Sequence, residues 1–107
     1  MIYEVRFLSK ELENEYTALE KSNPRLHKAI KKGIEKLKMN RLAGRKIPRE
    51  QVSKRFVRLY GTTNFWKLDL SREWRLIYTI AGDSIRILSI ILCWFDSHKQ
   101  YEKEVYI

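Results

Sequence analysis

The stretch that decides the fold covers residues 65–92 and reads FWKLDLSREWRLIYTIAGDSIRILSIIL. Apolar residues alternate with polar ones, or dominate, in three runs, at residues 65–70, 74–80 and 85–92. A repeat of two residues is typical of β-strands, and the short polar segments between the runs are typical of hairpin turns. The stretch therefore predicts three strands that form an antiparallel meander.

The same alternation assigns side chains to the two faces of this meander. Trp66 and Trp74 fall on one face with the leucines of their strands, whereas Lys67 and Arg75 fall on the other face. Because a tight turn joins the two strands, we expect the ammonium of Lys67 and the guanidinium of Arg75 to face the same side of the sheet.

The N-terminal part of the chain predicts one further strand and two helices. Residues 2–8 alternate and indicate a strand that lies at an edge of the sheet or beside the last strand. Ser9 is a typical helix cap, and Asn23 followed by Pro24 ends one helix and begins the next. Since the connection between the two helices is so short, they should form a hairpin.

The middle of the chain is harder to assign. Residues 41–48 indicate a basic loop, and residues 54–60 fit either a strand or a helix. Apolar residues at helical spacing, Pro48 before them and Gly61 after them favour the helix. The elements together predict a single α+β domain over residues 1–107. In this domain an N-terminal strand and a helical hairpin pack on the antiparallel meander in two layers.

The charge of the chain is concentrated in one segment. The 107 residues hold 22 Lys and Arg against 13 Asp and Glu, which gives a formal net charge of +9. Residues 24–60 contain thirteen basic and two acidic residues, whereas residues 1–23 carry −2 and residues 61–107 carry zero. Such a segment predicts a partner rich in negative charge, either a nucleic acid or an acidic protein. The alternative is a lysine-rich surface that only keeps the protein soluble.

The usage of cysteine, histidine and glycine excludes several kinds of site. The lone Cys93 cannot form an internal disulfide, which is consistent with a reducing compartment, and neither a signal peptide nor a membrane-spanning run is visible. We therefore expect a cytoplasmic protein with no membrane partner. One cysteine and two histidines do not provide the usual zinc spacing, and four scattered glycines form no phosphate-binding loop. We expect neither a metal nor a cofactor.

The C-terminal stretch best suited to chemistry is residues 94–101, WFDSHKQY. Ser97 and Gln100 have the spacing of a capping box, so a short helix should begin at His98. The first N–H groups of such a helix suit a phosphate, and His98 is a candidate proton acceptor. The alternative is an ordinary surface histidine.

These motifs, in this order, resemble the RelE/ParE superfamily of toxins from toxin–antitoxin pairs. The resemblance covers nearly the whole chain, and its most specific segments are residues 66–70 (WKLDL), 74–80 (WRLIYTI), 85–92 and 98–101 (HKQY). It implies a type II toxin that cuts mRNA in the ribosomal A site and inhibits translation, using the ribose 2′-OH as the nucleophile without a metal. It also implies contact with ribosomal RNA and silencing by a cognate antitoxin.

The resemblance further implies a role for each residue of a candidate catalytic set. Arg75 matches an arginine that stabilises the phosphate, and Lys67 matches a lysine that acts as a base or stabilises charge. His98 and Lys99 match C-terminal catalytic basic residues, and Tyr101 matches a tyrosine that stacks on a base or orients the ribose. Further basic residues are expected to bind RNA around this set: Arg45, Lys46, Lys54, Arg55, Arg58 and Arg72.

One position departs from the superfamily pattern. Asp69 stands where some ribosome-dependent members carry a second lysine, and a carboxylate there would repel the scissile phosphate. The assignment of base and acid therefore stays open. Two other functions fit the same scaffold, namely inhibition of gyrase by binding and nucleic-acid binding without catalysis. The antitoxin is expected to lay an acidic, partly helical segment across the basic groove or along the helical hairpin.

Overall fold

The computed structural model describes residues 2–71, 74–82, 85–95 and 97–107. In these residues a mixed sheet has the strand order β1-β5-β4-β3-β2. Its strands are β1 (Ile2–Phe7), β2 (Arg45–Lys46), β3 (Trp66–Asp69), β4 (Arg75–Gly82) and β5 (Arg86–Phe95). The helices are α1 (Lys10–Ser22), α2 (Pro24–Met39), α3 (Lys54–Tyr60) and α4 (His98–Val105), with a 3-10 turn at Arg49–Gln51. The fold is of the predicted α+β class.

The antiparallel meander is present as predicted. β3 pairs with β4 and β4 with β5, both antiparallel, while β1 lies parallel to β5. The first strand is therefore both at an edge of the sheet and beside the last strand. β4 extends through Ala81 and Gly82, which the sequence had placed in a turn, because Ala81 pairs with Leu88 and Gly82 with Ile87. The rest of that predicted turn, residues 83–84, lies outside the described residues.

The first two helices form the predicted hairpin, and each has its own cap. The hydroxyl of Ser9 accepts from the backbone N–H of Leu12 at 3.1 Å, and the side chain of Asn23 accepts from the N–H of Leu26 at 3.3 Å. The hairpin covers one face of the sheet. The residues buried there come from α2 and the central strands: Leu26, Ile30, Leu37, Leu68, Leu76, Tyr78 and Ile91.

The opposite face of the sheet is covered in part by α3 and α4. Phe56 of α3 and both Tyr101 and Val105 of α4 are buried in one cluster with Ile77 and Leu92 of the sheet. The packing of the helical hairpin on the meander is thus confirmed. The structure differs from the predicted two layers in having a third, partial layer formed by α3 and α4. The sequence did not reveal the third layer because each of these short helices buries only one or two side chains.

The helix at residues 54–60 is confirmed and ends at Gly61 as expected, but it begins after Ser53, because Pro48 instead precedes the separate 3-10 turn. The hydroxyl of Ser53 accepts from the N–H of Phe56 at 3.1 Å, which caps the first turn. Gly61 has a φ of 67°, the left-handed conformation that ends many helices and that glycine adopts without strain.

The basic loop predicted at residues 41–48 contains a short strand. Arg45 pairs with Lys67 and Lys46 with Trp66, so β2 forms the second edge of the sheet. Gly44 permits this approach, since a Cβ at that position would collide with the backbone oxygen of Lys67. Two paired residues are too few to produce an alternating pattern, which is why the sequence indicated only a loop.

Candidate active site

Lys67 and Arg75 share a face of the sheet, as the alternation predicted. In the β3–β4 register Lys67 lies opposite Ile77 and Asp69 lies opposite Arg75. Directly paired residues project to the same side, and Ile77 is buried under α3 and α4. The two cations therefore lie on the face that carries α4, with Asp69 beside them.

Tyr101 of α4 is the centre around which the predicted residues meet. Its side chain is buried, and its ring centroid lies 5.4 Å from that of Tyr106, 5.9 Å from Phe95 and 6.1 Å from His98. The Nζ atom of Lys67 lies 5.9 Å from the same centroid, within the range of a cation–π contact. The fold thus brings Lys67 and His98, far apart in the sequence, against one aromatic ring.

Tyr106 belongs to this cluster, although sequence reasoning missed it. Its hydroxyl lies 2.7 Å from the hydroxyl of Tyr101, and the ammonium of Lys67 donates to it at 3.4 Å. An isolated bridge to Val52 fixes the backbone of Tyr106 just after α4 ends. The available signal was an aromatic residue between Val105 and Ile107 in the C-terminal tail, and this does not indicate that its hydroxyl contacts Lys67.

Lys67 keeps its positive charge available on this face. In the parts of the chain that the structure describes, no carboxylate lies within ion-pair distance of Lys67. Its contacts there are the hydroxyl of Tyr106 and the ring of Tyr101. A half-buried ammonium with neutral partners is suited to stabilising an anion that arrives from outside.

The phenol of Tyr101 stays protonated at neutral pH. Burial is the main cause that raises its pKa well above the ordinary value of 10.0, and the hydrogen bond with Tyr106 adds to it. The charge of Arg75 acts in the opposite direction and that of Asp69 in the same direction, so both groups are close enough to influence this hydroxyl. Because only 2% of Tyr101 is exposed, the stacking on a base implied by the resemblance does not fit this structure.

Arg75 is held by its own chain. Its Nε atom lies 2.9 Å from Oδ1 of Asp69, and its Nη1 donates to the backbone oxygens of Ser71 at 2.9 Å and Trp74 at 3.0 Å. The Arg75 side chain is 14% exposed, whereas that of Asp69 is 63% exposed. The carboxylate that the sequence marked as a departure is therefore bonded to the very arginine expected to bind phosphate.

The helix predicted to begin at His98 does so. The hydroxyl of Ser97 accepts from the N–H of Gln100 at 3.4 Å, and Nε2 of His98 lies 2.8 Å from a carboxylate oxygen of Glu102. His98 remains half exposed, so one side of its ring meets solvent while it packs near Tyr101. Lys99 is exposed on the first turn of α4, and among the described residues no contact joins it to the cluster.

The comparison with protein families identifies this scaffold. Residues 7–92 match the family described as "ParE toxin of type II toxin-antitoxin system, parDE". The chain belongs to this toxin family. The match covers well over half of the chain, so the toxin acts with a cognate antitoxin as its partner. The match to this family does not distinguish a toxin that cuts RNA from one that inhibits gyrase.

The fold of the toxin also matches a solved structure. The "YoeB/ParE toxin from Agrobacterium tumefaciens" superposes with a TM-score of 0.53 and 21% sequence identity. The match covers 88% of this chain and 98% of that chain. At this identity the likeness shows the fold alone. No curated protein matches the toxin's sequence.

The basic residues expected to bind RNA lie in different places on the toxin. Arg45 is exposed opposite Lys67 and so shares the face of the cluster. Lys46 projects to the other face, where its ammonium lies 5.8 Å from the ring of Trp66 and bonds to Asn64. Arg45 therefore lies on the same face of the sheet as Lys67, whereas Lys46 lies on the other face.

The basic residues of α3 form a second group. Arg55 pairs with Glu104 of α4 at 3.2 Å, so its charge is partly neutralised within the toxin. Lys54 and Arg58 line a groove of about 560 Å³ together with Arg49. Arg72, the last residue expected to bind RNA, lies outside the described residues.

Two further observations bear on function. Over residues 2–71, 74–82, 85–95 and 97–107, no group of three or more His, Cys, Asp or Glu side chains is placed to hold a metal ion. Over the same residues, no helix is both long and apolar enough to cross a bilayer.

Proposed function

We propose that this toxin is a RelE-like endoribonuclease that cuts mRNA on the ribosome and so stops translation. Attack of a ribose 2′-OH on the adjacent phosphate makes three demands on a protein. A base must take the hydroxyl proton, cations must stabilise the growing negative charge, and an acid must protonate the departing 5′ oxygen. The cluster around Tyr101 contains groups of each kind.

The observation that carries the proposal is the position of Lys67. Its ammonium lies between the hydroxyl of Tyr106 and the ring of Tyr101, without a carboxylate partner among the described residues. A cation in this setting stabilises a pentavalent phosphorane without first having to break an internal ion pair. Arg45, exposed directly across the β2–β3 ladder, adds a second positive charge for the RNA backbone.

The remaining roles follow from exposure and protonation. His98 is half exposed and holds its Nε2 on Glu102, so it is the candidate to take the 2′-OH proton. The side chain of Tyr106 is only partly buried, and its hydroxyl donates or accepts a hydrogen bond at the edge of the cluster. Tyr106 is therefore the candidate proton donor to the 5′ oxygen. Tyr101 is buried and acts as a positioning residue that holds Lys67, His98 and Tyr106 in place.

The family match also supports a second function. The family is described by its ParE toxin, and inhibition of gyrase needs a binding surface but no catalytic set. In that case the cluster around Tyr101 would be structural, and the toxin would act through contact surfaces elsewhere.

Controlled expression in a bacterial host separates the two functions. The 5′ ends of cellular RNA are mapped and plasmid topology is measured after induction of the wild type, of Lys67→Met and of Lys21→Met. The nuclease proposal expects cuts within translated codons, lost about a hundredfold in Lys67→Met and kept in Lys21→Met. Lys21 is an exposed residue of α1 and serves as the charge-matched control. Growth arrest with intact mRNA and altered plasmid topology would instead support gyrase inhibition.

A further inference from the structure

The Asp69 carboxylate takes the Nε donor of Arg75, one of the places where an anionic ligand would bind. Its Oδ1 is 2.9 Å from Nε of Arg75, and the two residues are direct partners in the β3–β4 ladder. On another edge of the guanidinium, Nη1 donates to the backbone oxygens of Ser71 and Trp74. Nε of Arg75 thus holds a carboxylate that can be exchanged for another anion, whereas Nη1 holds backbone oxygens.

The exposed fractions of the two side chains indicate which of them lies closer to solvent. The Asp69 side chain is 63% exposed and that of Arg75 is 14% exposed, so the carboxylate lies on the solvent side of the pair. A carboxylate and a phosphodiester present the same chemistry to Nε, an anionic oxygen that accepts a charged N–H. Only one of them can take that donor at a time.

We propose that Asp69 acts as an internal competitor for phosphate at Arg75 and thereby sets how tightly this face binds a phosphodiester. The inference rests on the proposed function in one respect, that this face of the sheet meets RNA. Lys67 is free of such competition among the described residues, so it makes the first contact with phosphate. The Nε donor of Arg75 becomes available to the phosphate when Asp69 turns away toward solvent, which the 63% exposure of the Asp69 side chain permits.

Binding of a single-stranded oligonucleotide made entirely of 2′-deoxynucleotides tests the proposal, because this probe cannot be cut by 2′-OH attack. The dissociation constant is measured over a series of salt concentrations for the wild type and Asp69→Asn. We expect Asp69→Asn to bind about tenfold more tightly, the effect of one charge-assisted hydrogen bond. The slope of log K against log salt should steepen by about 0.7, the value for one more phosphate contact on a single strand.

The matched control is Glu4→Gln. Near the opposite edge of the sheet, Glu4 pairs with Arg86 at 3.5 Å and with Arg6 at 2.9 Å, so the variant changes the net charge equally and also breaks carboxylate–arginine pairs. It should change the affinity less than about twofold, since it lies far from the proposed contact. The double variant Asp69→Asn, Arg75→Gln should lose the gain.

Three results would overturn the proposal: a gain in Asp69→Asn no larger than in Glu4→Gln, a loss of affinity, or a gain that survives in the double variant. A loss would mean that Asp69 positions Arg75 for binding rather than competing for it. If Asp69→Asn does not fold, as judged by circular dichroism, Asp69→Ser removes the same charge with a smaller side chain. The proposed nuclease function is judged separately. If RNA is cut but Asp69→Asn gains no affinity for the oligonucleotide, only this inference is contradicted. If the affinity gain depends on Arg75 but no RNA is cut, only the nuclease function is contradicted.

Discussion

The hydroxyl of Tyr106 lies 2.7 Å from the hydroxyl of Tyr101 and also accepts a hydrogen bond from Lys67. This contact joins the C-terminal tail, α4 and β3 in one network. The backbone N–H of Ser53 donates to the oxygen of Val105 at 2.8 Å, so the start of α3 fixes the tail that carries Tyr106. The position of the candidate catalytic lysine therefore depends on a residue beyond the last helix.

Tyr106→Phe should lower both the stability and the activity of the toxin. The buried hydroxyl of Tyr101 would lose its partner, at a cost of about 1–3 kcal/mol in the free energy of unfolding. Adding Tyr101→Phe should recover part of that loss, because the double variant leaves no unpaired hydroxyl. Urea denaturation of the four proteins measures this coupling. Tyr3→Phe, which removes an exposed hydroxyl near Arg41, is the control and should be almost neutral. Strictly additive effects of the two single variants would contradict the network.

The free energy of unfolding should fall as the pH rises above 9, and Cys93 should cause the first part of that fall. Burial raises the pKa of the Cys93 thiol from 9.0 to about 11, while a hydrogen bond from Tyr60 acts in the opposite direction. Above pH 9 the unfolded chain loses this proton and the folded chain keeps it. The protonated Cys93 thiol thus makes its full contribution to the free energy of unfolding below pH 9. That contribution is lost as the pH rises through 11, at up to about 1.4 kcal/mol per pH unit.

Denaturation of Cys93→Ala measures that contribution. Between pH 9 and 10 the variant should show a flatter pH dependence than the wild type, whatever its absolute stability. Tyrosines with raised pKa values, Tyr60 among them, add their own loss above pH 10 in both proteins. Parallel curves for the two proteins between pH 9 and 10 would show that the thiol is not protected by burial.

Two glycine variants should differ sharply in cost. Gly44→Ala places a Cβ against the backbone oxygen of Lys67 and the hydroxyl of Tyr78, so β2 must move away from β3. Gly61→Ala meets no atom within 4 Å and suffers only from its φ of 67°. We expect a cost of about 1 kcal/mol for Gly61→Ala and at least twice that for Gly44→Ala. Thermal denaturation compares them, and equal costs would mean that the edge strand is loosely packed.

Ser53→Ala should cost more than Ser9→Ala, although both remove a helix cap. The hydroxyl of Ser9 accepts from the N–H of Leu12, an ordinary cap worth about 1 kcal/mol. The hydroxyl of Ser53 caps α3 in the same way and also donates to the backbone oxygen of Glu104 at 3.3 Å. Hydrogen exchange should therefore speed up in α4 of Ser53→Ala and stay unchanged there in Ser9→Ala. Unchanged exchange in both would show that α4 is held by its side chains alone.

Local signals in the sequence predicted most of the fold. Helix caps such as Ser9 and Asn23, and the alternation around Lys67, act within a few residues. They can therefore be recognised without knowing the rest of the chain. The edge strand β2 and the third layer depend on residues far away in the sequence, and the extension of β4 depends on how Ala81 and Gly82 pair with the next strand. No local pattern specifies such partners.

The same division applies to the candidate site. Alternation predicted that Lys67 and Arg75 share a face, because strand geometry alone determines it. Neither the role of Tyr106 nor the burial of Tyr101 followed from the sequence, since both depend on how the tail after α4 returns to Val52. The sequence indicated Asp69 as an obstacle to phosphate binding, but only the structure shows that its carboxylate bonds to Arg75.

The most direct test of the proposed nuclease function is an analysis of RNA ends made by the purified toxin on ribosomes programmed with a defined mRNA. The proposal predicts a 5′-hydroxyl on one fragment and a 2′,3′-cyclic phosphate or 3′-phosphate on the other. A single 2′-deoxynucleotide at the cut site should abolish cleavage there, because it removes the attacking 2′-OH. Fragments with 5′-phosphates, cleavage that persists at the deoxynucleotide, or intact mRNA at toxin concentrations equal to those of the ribosomes would contradict it.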